Sequence, residues 1–171
     1  MSKLDYTIID NFLNEGVAKN LSDFMIGPNS QFSWYYMNSV VNSDDLDHIH
    51  NHQFYRIFYW NWEPRPFFDM LAPITSKLNP IAWQRVKANL NTVTPTKITY
   101  PFHTDTETEN CAKTAIYYLN TNNGVTILED GTEIESIANR ILIFDQKIKH
   151  TGTTCTDQKV RSLINFNYID T

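Results

Sequence analysis

The spacing of apolar and polar positions changes about halfway along the chain. Tyr6 to Ile9 is a short apolar run that predicts a strand. From Asn14 to Met25, Val17, Leu21, Phe24 and Met25 recur at a spacing that puts them on one helical face. Asn11 or Asn14 can cap that helix, and Gly27-Pro28 stops it. Two aromatic runs, Ser33 to Met37 and Phe54 to Trp60, read as extended, with a polar surface loop over Ser43 to Gln53 between them. Pro64-Arg65-Pro66 is expected to open a helix through about Leu78, closed by Asn79-Pro80.

Beyond residue 80 short strand-like runs follow one another: Ala82 to Thr92, Lys113 to Leu119, Val125 to Leu128, Thr132 to Ile137, Arg140 to Phe144 and Val160 to Ile169. Glu129-Asp130-Gly131-Thr132 is a hairpin signal. No helical pattern of useful length interrupts them, and closely spaced antiparallel strands predict a jelly roll or barrel. The expected class is mainly β with bracing helices (α+β). Residues 1–80 would form a mixed helix and strand support region and residues 81–171 the β core of a single domain.

Composition removes several function classes. With 171 residues, 42% hydrophobic and 13% aromatic, the chain can bury a core and is not a disordered segment. A net charge of −5 disfavours a protein that lives by phosphate contacts, so no nucleic-acid partner is expected. Two cysteines, Cys111 and Cys155, are too few for a disulfide scaffold, and without a CxxC pair a cysteine zinc site is disfavoured. The N-terminus shows no signal-peptide pattern, and no apolar run approaches the ~18 residues of a membrane span. The expectation is a soluble, cytoplasmic protein with no membrane partner.

The sharpest chemical feature is His103-Thr104-Asp105. On an extended segment residues two apart point to the same side, so an imidazole and a carboxylate are presented together. His150, after the apolar run Ile141 to Phe144, can supply a third ligand. Two histidines and a carboxylate leave open positions on a metal, which suits non-haem Fe(II); zinc is chemically possible. Arg161, eleven residues after His150, enters a strand-like segment where an unpaired guanidinium is costly to bury. Either a protein carboxylate or a ligand carboxylate must satisfy it. His48-x-His50-x-His52 is a rival metal site, but its neighbours Ser43-Asp44-Asp45 and Asn51 favour a solvated loop. Trp83, Arg85, Lys87, Asn89 and Asn91 alternate with Val86, Ala88 and Leu90, so the two sets should occupy opposite faces of a strand. The aromatics Trp34, Tyr35, Tyr36, Tyr59, Trp60 and Trp62 are expected mostly in the core, with a minority available as a substrate wall.

The order His103-x-Asp105, His150, Arg161 resembles the Fe(II)- and 2-oxoglutarate-dependent dioxygenases, and most closely their prolyl-hydroxylase-like branch. Ala115-Ile116-Tyr117-Tyr118-Leu119-Asn120, Gly124-Val125-Thr126, Asp130-Gly131, Asn139 to Asp145, His150-Thr151-Gly152-Thr153 and Val160-Arg161-Ser162 carry the likeness. It covers roughly Arg85 to Tyr168. The resemblance implies a double-stranded β-helix (jelly roll, cupin-like). It implies iron on His103, Asp105 and His150, and 2-oxoglutarate held by Arg161 and by the hydroxyl of Tyr118. Asn89 and Asn91 would line the cavity near that co-substrate. With O2 the implied reaction is hydroxylation of a prolyl or other amino-acid residue, in a peptide or protein, or of a small metabolite, releasing succinate and CO2. Asp105 argues against the halogenating variant, which lacks the carboxylate ligand. Asn123-Gly124 stands where the family often has paired glycines, and Glu107 and Glu109 match nothing in the pattern. The alternatives are a non-catalytic cupin-like binding module and a zinc-dependent enzyme on the same scaffold.

Overall fold

The computed structural model describes residues 4–40, 49–105 and 112–170. His48, Glu107, Glu109 and Cys111 lie outside them. Strand β1 (Tyr6–Ile9) leads into helix α1 (Glu15–Ile26), where the Asn14 side chain accepts a hydrogen bond from the Gly16 N–H at 3.0 Å. Leu21 and Met25 are its buried residues; Val17 and Phe24 lie at the surface, where Phe24 packs against Phe32 and Phe67. Strands β2 (Tyr35–Met37), β3 (Gln53–Trp60) and β4 (Glu63–Pro64) follow.

The helix expected from Pro64 begins later. Pro64 pairs with Tyr59 across β3 and β4, and Phe67 takes a left-handed φ of 73°, which breaks any helix through it. Only then come a 3-10 turn (Phe68–Leu71) and α2 (Ala72–Leu78), whose C-cap Asn79 adopts φ 42°.

The second half is β throughout: β5 (Ala82–Thr92), β6 (Ala112–Tyr118), β7 (Asn122–Leu128), β8 (Glu133–Ser136), β9 (Ile141–Asp145), β10 (His150–Gly152) and β11 (Val160–Ile169). They form two antiparallel sheets, one in the order β1-β9-β6-β11-β5-β3-β2 with β4 attached to β3, the other β10-β7-β8. The period-2 alternation of each strand sorts its residues between two environments. On β11, Ile164, Phe166 and Tyr168 face a core shared with Leu21, Met25, Leu71 and Ile74 of the helical half. Arg161 and Leu163 face the other way, toward the small sheet. The helices therefore brace the outer face of the large sheet and leave its inner face to a second core and a polar cavity.

Strand β5 obeys the same rule with one exception. Arg85, Lys87, Asn89 and Asn91 line the inner cavity as the alternation predicts, but Trp83 packs on the outer side with Phe68, Phe166 and Tyr168. The pairing with β11 slips there, Asn167 opposing Arg85 and Tyr168 opposing Trp83, and this bulge turns Trp83 over. Among the described residues no helix is long and apolar enough to cross a membrane.

Candidate active site

His103 and His150 are brought together by main-chain pairing. Each backbone N–H donates to the other residue's carbonyl at 3.0 Å, an isolated antiparallel bridge outside the long strands. This puts the two imidazoles side by side, with ring centroids 4.9 Å apart. His103 Nδ1 lies 3.2 Å from the Pro101 carbonyl and His150 Nδ1 3.3 Å from that of Ile148. With Nδ1 turned to a carbonyl, the Nε2 lone pair is the one left for a ligand.

Asp105 completes the group. Its Oδ1 is 3.8 Å from His103 Nε2 and its Oδ2 3.8 Å from His150 Nε2, and the ligand atoms of the three residues all lie within 4.8 Å of one another. Among the described residues this is the one such cluster of metal-ligating side chains. His50 and His52 join no such cluster, and His52 Nδ1 faces the Ile49 carbonyl at 3.0 Å. The carboxylate is held from behind: Arg85 Nη2 reaches Oδ1 at 3.0 Å and Asn167 Nδ2 donates to Oδ2 at 3.0 Å. Arg85 Nε also donates to Asn167 Oδ1 at 3.0 Å, closing a three-residue ring. Burial by itself would raise the Asp105 pKa; Arg85, then His150, Asn167 and His103, more than reverse it and hold the carboxyl well below its ordinary value. Burial lowers the His150 pKa, with His103 adding and Asp105 opposing. Two imidazoles and a carboxylate are the donor set that a borderline divalent ion of the first transition row, such as Fe(II) or Zn(II), takes.

The cavity that these residues open onto has a volume of about 160 Å³ and is lined mainly by polar groups. Arg161 lies at one end, buried, with Nε donating to Ser136 Oγ at 2.9 Å and Nη2 to Thr126 Oγ1 at 3.0 Å. Both partners are neutral hydroxyls. Burial pushes the guanidinium pKa down, and among the described residues no carboxylate pairs with it. Two glycines make room for it: a Cβ on Gly124 would come within 2.5 Å of Arg161 Cδ, and one on Gly152 within 3.1 Å of Nη1. A buried, unpaired guanidinium of this kind fits an anionic ligand group.

Tyr118 stands differently from the expectation. Its side chain is fully buried and does not line the cavity; its hydroxyl donates to Thr126 Oγ1 at 2.8 Å. Thr126 Oγ1 thus receives both Tyr118 and Arg161, which leaves its own O–H to donate elsewhere. Thr126 lines the cavity. Asn89 and Asn91 line it too. Asn89 Oδ1 is buried without a hydrogen-bond partner, and Asn91 Nδ2 donates to the Tyr100 hydroxyl at 3.3 Å.

Arg85, Thr126, Tyr100 and Asn167 were not singled out in the sequence. Arg85 shares the β5 face of Asn89 and Asn91, and Asn167 the β11 face of Arg161, so alternation was the available signal. Tyr100 and Thr126 carried none beyond their nearness to motifs.

No protein-family model matches the chain, and no curated protein matches it in sequence. Solved structures match it by fold. A prolyl hydroxylase from Trichoplax adhaerens, in complex with a hypoxia inducible factor oxygen degradation domain peptide fragment, superposes with a TM-score of 0.68 at 16% identity, over 96% of this chain and 83% of that one. A non-heme alpha ketoglutarate dependent carbocyclase from nogalamycin biosynthesis gives 0.65 at 13% identity, over 98% and 80%. A prolyl-4-hydroxylase from Pseudomonas putida gives 0.61 at 12% identity, over 99% and 95%. The chain therefore has the double-stranded β-helix fold of the 2-oxoglutarate- and iron-dependent oxygenases.

Proposed function

We propose that the chain is an Fe(II)- and 2-oxoglutarate-dependent oxygenase, a hydroxylase of a prolyl or other amino-acid residue or of a small metabolite, formed as one domain over residues 1–171. The observation that carries this reading is the pairing, in one cavity, of a His-Asp-His donor set with a buried guanidinium that has no carboxylate partner among the described residues. Fold alone does not decide activity, since one scaffold serves many functions.

His103, Asp105 and His150 would hold the iron. Bound there with 2-oxoglutarate, it would supply the oxidising chemistry that converts O2 and 2-oxoglutarate to succinate and CO2 with transfer of an oxygen atom to a substrate carbon. The chain's own part is positioning. The carbonyls of Pro101 and Ile148 orient the two imidazoles, and Arg85 with Asn167 keeps Asp105 ionised and fixed. Arg161 takes the distal carboxylate of 2-oxoglutarate, with the Thr126 hydroxyl as second donor. Tyr118 acts through Thr126, occupying one of its lone pairs and so directing its proton toward the cavity. Asn89 and Asn91 form the polar wall beside the co-substrate.

The test is succinate formation by protein reconstituted anaerobically with Fe(II), then given 2-oxoglutarate and O2, beside a His103→Ala control. Succinate from the wild type and none from the control is expected. If iron-loaded wild type neither forms succinate nor binds 2-oxoglutarate, the oxygenase reading falls and the non-catalytic binding module or zinc enzyme replaces it.

A further inference from the structure

The polar cavity adjoins a second, wider hollow of about 550 Å³, and Arg85 and Lys87 line both. The walls of the second hollow are Tyr35, Met37, Tyr55, Ile57, Trp60 and Pro66. Its other cations are engaged. Arg56 donates to Ser33 Oγ at 3.1 Å and lies over the Phe32, Tyr35 and Phe67 rings; Arg65 is 3.6 Å from Glu63; Arg85 holds Asp105. Lys87 is the exception. It is half-buried where the hollows meet, its Nζ 5.4 Å from the Tyr55 ring centroid, and among the described residues no carboxylate pairs with it. Asn165, opposite Lys87 on β11, keeps a buried Oδ1 without a partner.

Charge counting sharpens this. Among the described residues the polar cavity is lined by three side chains that are cationic at neutral pH, Arg85, Arg161 and Lys87, the last with its pKa lowered to about 8 chiefly by burial, against the carboxylate of Asp105. Iron(II) would add two positive charges and 2-oxoglutarate two negative ones, so the excess of positive charge persists with both bound. That excess lies beside Lys87, at the inner end of a hollow whose uncharged walls are aromatic and aliphatic. The hollow's size falls in the range of small-molecule sites, ~300–1,000 Å³. An internal peptide segment would bring an uncharged backbone to Lys87, whose ammonium has no carboxylate partner among the described residues.

We propose that this hollow is the primary-substrate site and that it takes a small molecule bearing a carboxylate on an apolar or aromatic body. Lys87 receives the carboxylate, and Tyr55, Ile57 and Trp60 receive the body. The reaction at that site rests on the oxygenase reading; the recognition itself does not require it.

The experiment compares 3-phenylpropionate with its uncharged analogue 3-phenylpropionamide by NMR titration of the whole chain, metal-free and again with zinc(II) and 2-oxoglutarate present. The acid should bind the wild type about tenfold more tightly than the amide, the scale of one charge-assisted hydrogen bond. That preference should vanish in Lys87→Met, return in part in Lys87→Arg, and survive Arg161→Met. Three results would overturn the proposal: equal or no binding of acid and amide by the wild type, a preference that survives Lys87→Met but is lost in Arg161→Met, or tighter binding of an N-acetylated, C-amidated prolyl tripeptide than of the acid. The wild-type comparison needs no variant to fold. Absence of both succinate formation and 2-oxoglutarate binding would sink the oxygenase reading and leave this titration standing; equal binding of acid and amide would sink the substrate class with succinate formation intact.

Discussion

Asp105 shows how much of this site depends on single side chains. Its carboxylate is buried and stays charged because Arg85 and Asn167 each take one oxygen. Replacing Arg85 by Met leaves the charge buried without its cation, and metal-free protein should lose about 3 kcal/mol at neutral pH. The pH dependence follows from the direction of the shifts. In the wild type the folded-state pKa of Asp105 is depressed, so its contribution is complete above the ordinary carboxylate range and is lost only as pH falls beneath it. In Arg85→Met the largest force opposing burial is gone and the pKa moves up from its wild-type value, so the folded variant takes up a proton sooner as pH falls and its deficit shrinks. Urea unfolding of both proteins at about pH 7 and about pH 4 should show the gap narrowing. Gly124 is a second such residue. An added methyl would meet Arg161 Cδ at 2.5 Å, and that side chain is pinned by Ser136 and Thr126. Gly124→Ala should weaken 2-oxoglutarate binding about tenfold or more, while metal affinity stays at the wild-type value. Equal loss of both would place the damage elsewhere than at Arg161.

At the scale of elements, the junction between the helical half and the β core depends on Asn139, in the turn before β9. Its Oδ1 accepts from the Leu13 N–H at 2.8 Å and from the Tyr117 hydroxyl at 3.1 Å, and its Nδ2 donates to the Leu13 carbonyl at 2.9 Å. It also sits at φ 63°, which Asn tolerates better than most residues. Asn139→Ala strands two buried main-chain groups and should cost about 3 kcal/mol in denaturant unfolding. Asn139→Gly relieves the backbone conformation and should cost nearly as much, because the lost hydrogen bonds outweigh the torsion. The turns and caps were readable in the sequence: Asn14 caps α1, Asn79 ends α2, and Gly131 takes φ 88° in the hairpin between β7 and β8. The reach of Asn139 across 126 positions to Leu13 was not, because nothing local marks it.

For the whole molecule, the His-Asp-His cluster is assembled from two distant places, the segment of His103 and Asp105 and the short strand β10 with His150, and is joined only in the folded state. Metal should therefore bind the folded chain and not the unfolded one, and stabilise it by mass action. At metal near a hundred times its dissociation constant the gain is about 2.7 kcal/mol, a rise in Tm of roughly 5–10 °C for a chain of this size. Calorimetry with Fe(II) under anaerobic conditions, or with Mn(II), should show that rise in the wild type and none in His103→Ala. A chelator should reverse it.

The sequence by itself determined the strand-rich second half, the helices that brace it and the order of the chemically marked residues. These follow from local periodicity and from turn residues whose preferences need no partner. It also pointed to His103, Asp105, His150 and Arg161, because the His-x-Asp pair and a strand arginine are legible as a pattern. What the tertiary structure decided is everything that depends on two strands meeting. The bridge that sets His150 beside His103, the Arg85 and Asn167 clamp on Asp105, and the bulge that turns Trp83 outward are of this kind. So is the engagement of the Tyr118 hydroxyl by Thr126, and the meeting of two hollows at Lys87. Alternation assigns a side chain to a face; only the register between strands says which groups on that face are neighbours, and the chemistry of this site is made by neighbours.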